Sequence, residues 1–468
     1  MCKPTIATTS TKDEAEASFS KEHGPRKSPP YHRGFVYGTL SLALVVTAGS
    51  VVMGHYQSKR DEMGCDTMCV GSMTSARSTL TLLGSTIIGK SSDSKTLDDK
   101  LGGTRRAFLV LGVIASAMEL IIASQATSIS ALWISMIPSA LFQQNFNVLK
   151  ALFGEYHGAS ASAAERAGRV GKLGMAVGLA FMVGPLLGSV LFKTYEQAAI
   201  FALACLIGAV LLISMLPRPV SYKSHDDEKE QRQQRDIKPT LHEENRTSSV
   251  SFLHRFVPDV PAARTPPAVF IMVSRICMAL SFHIFQTIWT VALRERFQFG
   301  PQDYGRYYAF IGFGFAMSQG FVAKFLLKRF GSTDLGRSRL LLVCAFVLGG
   351  GRFLAYQTEN IAFVYVLFGF IITALGVVNT IFTADTSKIA DPSELGGLFG
   401  ILGSVESLAG IIGPILGGSL AKIHPIRGPL SAVLILYGMV FTMVYWGYES
   451  IVGRAKLSVS SSHDKKED

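Results

Sequence analysis

The chain carries one pattern twice. Gly171-Lys-Leu-Gly174 followed by Gly184-Pro185-Leu-Leu-Gly188 returns as Gly400-Ile-Leu-Gly403 followed by Gly413-Pro414-Ile-Leu-Gly417, at a constant offset of 229 residues, from 171 to 400 and from 184 to 413. Both copies lie inside apolar runs long enough to cross a bilayer, where proline frees a backbone carbonyl and glycines admit a neighbouring helix. A duplication on this scale predicts two membrane halves in parallel repeat, the plan on which secondary transporters build alternating access.

Marking apolar stretches of about 20 residues gives roughly twelve candidate spans, at 34–56, 69–90, 107–126, 130–152, 172–193, 197–216, 268–291, 305–327, 339–357, 361–383, 398–421 and 429–450. The expected fold is an all-α polytopic membrane protein, twelve transmembrane helices in two six-helix pseudo-repeats. Hydrophobic residues make up 48% of the chain and the mean hydropathy is only +0.32, because long polar segments dilute the spans. The net charge of +11 follows the loops instead of forming one basic face, which argues against a nucleic-acid partner. Most of the 45 Lys and Arg fall on one side if the N-terminus is cytosolic, so both termini are expected in the cytosol.

The domain plan is a cytosolic N-tail (1–33), an N-terminal half (34–216), a linker (217–267), a C-terminal half (268–450) and a C-tail (451–468). The N-tail carries Asp13, Glu14, Glu16 and Glu22, which fits neither a secretory h-region nor a transit peptide. The linker, with Asp226-Asp227-Glu228-Lys229-Glu230 and Gln231-Arg-Gln-Gln-Arg235, reads as a charged, solvated tether. Cys65 and Cys69, in the expected outer loop, are either a short disulfide or two free thiols at a helix start. No metal-ligand cluster, nucleophile elbow or phosphate loop is present in the sequence, so neither an enzyme nor a cofactor is expected.

After the second span the chain reads Gly84-Ser-Thr-Ile-Ile-Gly89-Lys90-Ser-Ser-Asp93, then Gly102-Gly103-Thr-Arg105-Arg106. Two glycines allow close helix approach, and Asp93 can clasp Arg105 and Arg106 at the cytosolic face. This resembles the loop between helices 2 and 3 of the major facilitator superfamily, here with Ser94 to Leu101 inserted between the acid and the arginines. The fifth-span run from Gly174 through Gly178 and Gly184-Pro185 to Gly188 resembles the motif of that superfamily's antiporters. Glu165-Arg166-Ala-Gly168-Arg169, Pro258-Asp259-Val260-Pro261 and Ser407-Leu408-Ala409 resemble the organic-cation-transporter-like branch known as solute carrier family 22 member 18, and bacterial tetracycline antiporters. The resemblance implies proton-coupled export of amphiphilic or cationic compounds. It also implies an arginine in the fourth span, where this chain has Ser139 beside Pro138. That departure keeps uniport and symport open, and with them a receptor or scaffold that retains the fold without transporting.

Ionisable residues inside spans are costly unless paired or facing water, so they mark the candidate site. They are Arg77, Glu119, Arg275, His283, Arg352 and Glu406. At ~1.5 Å per residue, Arg77 and Glu119 each lie roughly 20 Å from the cytosolic ends of their helices, and Arg275 and Glu406 each roughly 12 Å from theirs. Equal depth predicts two ion pairs. Each is either a static bridge or a working site, with Glu406 and Glu119 as cation or proton acceptors and Arg275 modulating the former. His283 is either a capped helix histidine or a proton carrier. Gly84, Gly89, Asp93, Arg105 and Arg106 are the expected gate. Gly178, Gly184, Pro185, Gly188, Gly413, Pro414 and Gly417 are expected to pack and bend the helices. The expected partners are a small-molecule solute, protons as an open coupling ion, and the bilayer of the plasma membrane or an endomembrane, with the protein a monomer.

Overall fold

The computed structural model describes residues 31–92, 104–156, 163–217, 261–389 and 395–453, all helix and connecting turn, with no strand among the described residues. The N-terminal half contains α1 (Tyr31–Val51), α2 (Met53–Glu62), α3 (Thr67–Ser92), α4 (Thr104–Gln125), α5 (Ile129–Phe142), α6 (Asn145–Tyr156), α7 (Ala163–Leu191) and α8 (Tyr195–Ser214). The C-terminal half contains α9 (Pro266–Glu295), α10 (Pro301–Met317), α11 (Ala323–Phe330), α12 (Asp334–Gln357), α13 (Ile361–Ile389), α14 (Leu395–Ile423) and α15 (Arg427–Gly447). Each half wraps its own apolar core, one built around Leu109, Leu149 and Leu206, the other around Trp289, Tyr307 and Phe382. In the second, the Trp289 indole N–H donates to the Tyr307 hydroxyl at 2.8 Å, which satisfies a polar atom buried among stacked rings.

Among the described residues ten helical runs are long and apolar enough to cross a membrane. The two remaining spans depart from the expectation for separate reasons. Helix α3 is long enough but rich in Ser and Thr, and the hydroxyls of Thr74, Thr79, Ser85 and Thr86 turn back onto backbone carbonyls. The expected span 130–152 is two helices, broken at Gln143-Gln144. Side-chain amides tie the break to neighbouring helices: Gln144 donates to the Thr81 carbonyl on α3, and Asn145 to the Leu109 carbonyl on α4, each at 3.2 Å. Irregular backbone at membrane depth is tolerated where protein surrounds it, and here it does. A further irregular turn, the π-helical segment Ser318–Val322, separates α10 from α11.

The glycines flanking the two prolines of the duplicated pattern are contact points. A side chain at Gly184 would meet the Ser50 hydroxyl on α1, and one at Gly413 would lie 2.6 Å from the His283 Cβ on α9. Gly188 and Gly417 continue these seams against the carbonyls of Val51 and Ile284. Pro185 and Pro414 lie inside unbroken helices, α7 and α14. Gly184→Leu and Gly413→Leu should each cost at least about 2 kcal/mol through overpacking, read as lower expression and a lower melting temperature in detergent. Parental values for both variants would refute this seam.

The halves join chiefly where α3 packs on α14 and α7 on α10, with α2 also packed on α10. At one end they touch backbone to backbone: Gly71 abuts the Pro414 carbonyl, Gly418 the Met68 backbone, and Gly305 the Pro185 carbonyl. Halfway along, contact thins to Ser78 beside Gly410 and Ala316 near Gly178. Beyond that, Gly174, Gly320, Gly400 and Gly403 have no neighbour among the described residues where a side chain would go. The halves are closed at the end bearing the Cys65 loop and parted at the end where α3 stops, at Ser92.

Candidate functional site

Where the helices part, α9, α13, α14 and the π turn after α10 line a cavity of about 740 Å³. Arg275 and His283 reach it from α9, Asn379 and Thr383 from α13, Glu406 from α14, and Gln319 from the π turn. Arg275 Nη1 donates to Glu406 Oε1 at 2.6 Å, while its Nη2 donates to Thr383 Oγ1 at 3.1 Å. The arginine side chain is only 13% exposed and the carboxylate 45%, so the acid is the member of the pair offered to the cavity. His283 stands edge-on to Phe282 at 5.2 Å and faces Gly410 and Gly413, which leave room for its ring.

In the other half Arg77 and Glu119 form a two-pronged pair, Nη1 to Oε1 at 2.8 Å and Nη2 to Oε2 at 3.3 Å. Nη2 also donates to Ser139 Oγ at 3.4 Å. A guanidinium thus reaches the fourth-span position where the resemblance implies an arginine, carried there from the second span. Here the exposure is reversed: the arginine side chain is 43% open and the glutamate 17%.

The structure therefore brings Arg77 to Glu119 and Arg275 to Glu406. Arg352 is left without a carboxylate among the described residues; its guanidinium lies between the Phe285 and Tyr437 rings and donates to the Leu348 carbonyl. Of the gate, Gly84 packs against the Leu141 carbonyl of α5, Gly89 lies near the end of α3, and Arg105 and Arg106 stand in the first turn of α4. Asp93, the acid of the expected clasp, lies outside the described residues.

Sequence reading missed a polar cluster that holds the closed end. Asp61, at the end of α2 and 8% exposed, accepts a hydrogen bond from the Tyr304 hydroxyl at 2.9 Å and pairs with Arg294 at 3.6 Å, both from the opposite half. Arg294 also donates to the Cys65 carbonyl at 3.3 Å. Cys65 and Cys69 are joined by a disulfide, which decides between the two readings of that loop. Charged residues at helix ends give no sequence signal of this kind, whereas Gln319 and Asn379 were detectable as amides inside apolar runs.

The model of the Major Facilitator Superfamily matches residues 33–383. The chain belongs to that superfamily. Among its relatives, mouse (Mus musculus) solute carrier family 22 member 18 is 25% identical over 393 residues, covering 82% of this chain and 88% of the relative. Mouse major facilitator superfamily domain-containing protein 10 is 25% identical over 343 residues, covering 69% and 67%. The crystal structure of the human organic anion transporter MFSD10 (TETRAN) superposes with a TM-score of 0.59 at 20% identity, covering 89% of this chain and all of that one. The occupied, inward-facing bacterial homolog of the human lysosomal transporter Spinster gives 0.61 at 14% identity, covering 93% and 98%. These structures share the major facilitator fold with this chain, and as a member of the superfamily it is an integral, multi-pass membrane transport protein.

Proposed function

We propose that the protein is a secondary active transporter that moves a small cationic or amphiphilic organic solute by alternating access, with protons as the coupling ion and export as the direction. The reading rests on one observation: Glu406, a carboxyl group within a membrane-spanning helix, is open to a cavity at the level where the two halves part. A carboxylate there is reached from one side when that end is open and from the other when it closes. Glu119, held by Arg77 in the opposite half, is the second candidate proton acceptor. We assign both termini to the cytosol from the Lys and Arg bias, which makes the described state open to the cytosol. A monomer suffices, since the cavity is built within one chain.

The test is flux. In proteoliposomes, uptake of radiolabelled cationic amphiphiles should rise severalfold when a pH gradient is imposed, and should collapse with a protonophore. Saturable binding without flux for every solute in a broad cationic and anionic panel would instead support a receptor that keeps the transporter fold.

A further inference from the structure

The two ion pairs are built with opposite polarity. In each, one member is held against protein and the other is left open: Arg77 at 43% over Glu119 at 17%, and Glu406 at 45% over Arg275 at 13%. An ionised side chain half open at membrane depth is tolerated only against water, so both open faces belong to the space between the halves. One wall therefore offers a guanidinium and the other a carboxylate.

Their levels follow from the helices that carry them. Helices α3 and α14 run antiparallel, and Ser78 stands beside Gly410. In that register Arg77 is level with residue 411, about five residues deeper than Glu406, or roughly 7 Å at ~1.5 Å per residue. Glu406 sits nearer the parted end.

Hydrogen-bond capacity points the same way. The Glu406 carboxylate has about four acceptor positions and receives a single guanidinium N–H from Arg275. Arg77 has five N–H donors and directs three contacts at Glu119 and Ser139. Each open member has capacity left for a ligand group of opposite charge.

From this geometry we infer that the solute is zwitterionic, with a cationic group on Glu406 and an anionic group about 7 Å deeper on Arg77. The inference rests on the transporter reading above and revises its substrate class by adding an anionic group to the cationic one. A doubly complementary solute meets both open faces, whereas a simple cation meets that of Glu406 and leaves the open face of Arg77 to water.

The probes are the ω-amino acids from 3-aminopropanoate to 8-aminooctanoate, with hexylamine and hexanoate as single-charge controls. Binding is read as ligand-induced thermal stabilisation of the purified full chain, and counterflow in proteoliposomes is read in parallel. Affinity should peak near 6-aminohexanoate, about tenfold tighter than either control, the difference made by one added charge-assisted contact. Arg77→Gln should lower 6-aminohexanoate to the level of hexylamine, and Glu406→Gln to that of hexanoate. Arg77→Lys and Glu406→Asp, which keep each charge, should retain the zwitterion preference. Hexylamine binding as tightly as every ω-amino acid, an Arg77→Gln variant with an unaltered ranking, or no binding by any probe overturns the zwitterion while flux of another solute leaves the transporter reading standing. Absence of flux for every solute fails the transporter reading instead.

Discussion

Glu406→Gln should abolish proton-coupled uptake in reconstituted vesicles while the protein still folds. The two effects separate because they depend on different things. The pair with Arg275 is open to water on the carboxylate side, so its contribution to folding is small, about 1 kcal/mol or less. Its contribution to the cycle is set by whether a charge at that point compensates the solute or proton, and an amide cannot carry one. Exchanging the partners, Arg275→Glu with Glu406→Arg, keeps an ion pair but puts the guanidinium on the cavity side. A working site predicts a stable and inactive exchange variant. A static bridge predicts that the exchange restores both stability and transport, and parental uptake by that variant would refute the assignment of Glu406.

Asp61→Ala should open the closed end. Asp61 is the buried acceptor on which Arg294 and Tyr304 of the other half converge, and removing one partner from such a cluster costs about 3 kcal/mol. The cost falls on the closed arrangement alone, so the ratio of the two states should move about a hundredfold. Ser189, packed against Gly305 and 6% exposed, reports on this. In a background with Cys2, Cys205, Cys277 and Cys344 replaced by alanine, Ser189→Cys should resist an impermeant maleimide in the parent and react quickly in Asp61→Ala. Equal labelling rates would show that the cluster does not hold that end.

The legibility of these features in the sequence follows from their range. The seams at Gly184 and Gly413 were readable because close packing demands a residue type, and the duplication marked it twice. The pairs Arg77 with Glu119 and Arg275 with Glu406 were readable because charge is rare in spans and helical rise converts position into depth. The break at Gln143-Gln144 was not, since Leu141, Phe142 and Phe146 keep the run apolar and the amides that anchor it act on carbonyls of α3 and α4. The cluster at Asp61 was hidden by distance: it joins residues 233 and 243 apart at helix ends, where charge ordinarily means solvent. Ser139 read as a lost arginine because its partner comes from another helix.

The empty surroundings of Gly174, Gly320, Gly400 and Gly403 gain meaning from the repeat. Gly174 and Gly403 belong to the first part of the duplicated pattern and Gly188 and Gly417 to the second, so each copy spans one parted stretch and one joined stretch. If the halves rock about the level of Ser78 and Gly410, the parted glycines become the seam of the opposite state. A side chain added there meets no described atom in this arrangement, and its whole clash enters the equilibrium between the two. These positions act as a reserve of conformational bias, invisible to any measurement of stability in this state and decisive for how long the molecule stays in it.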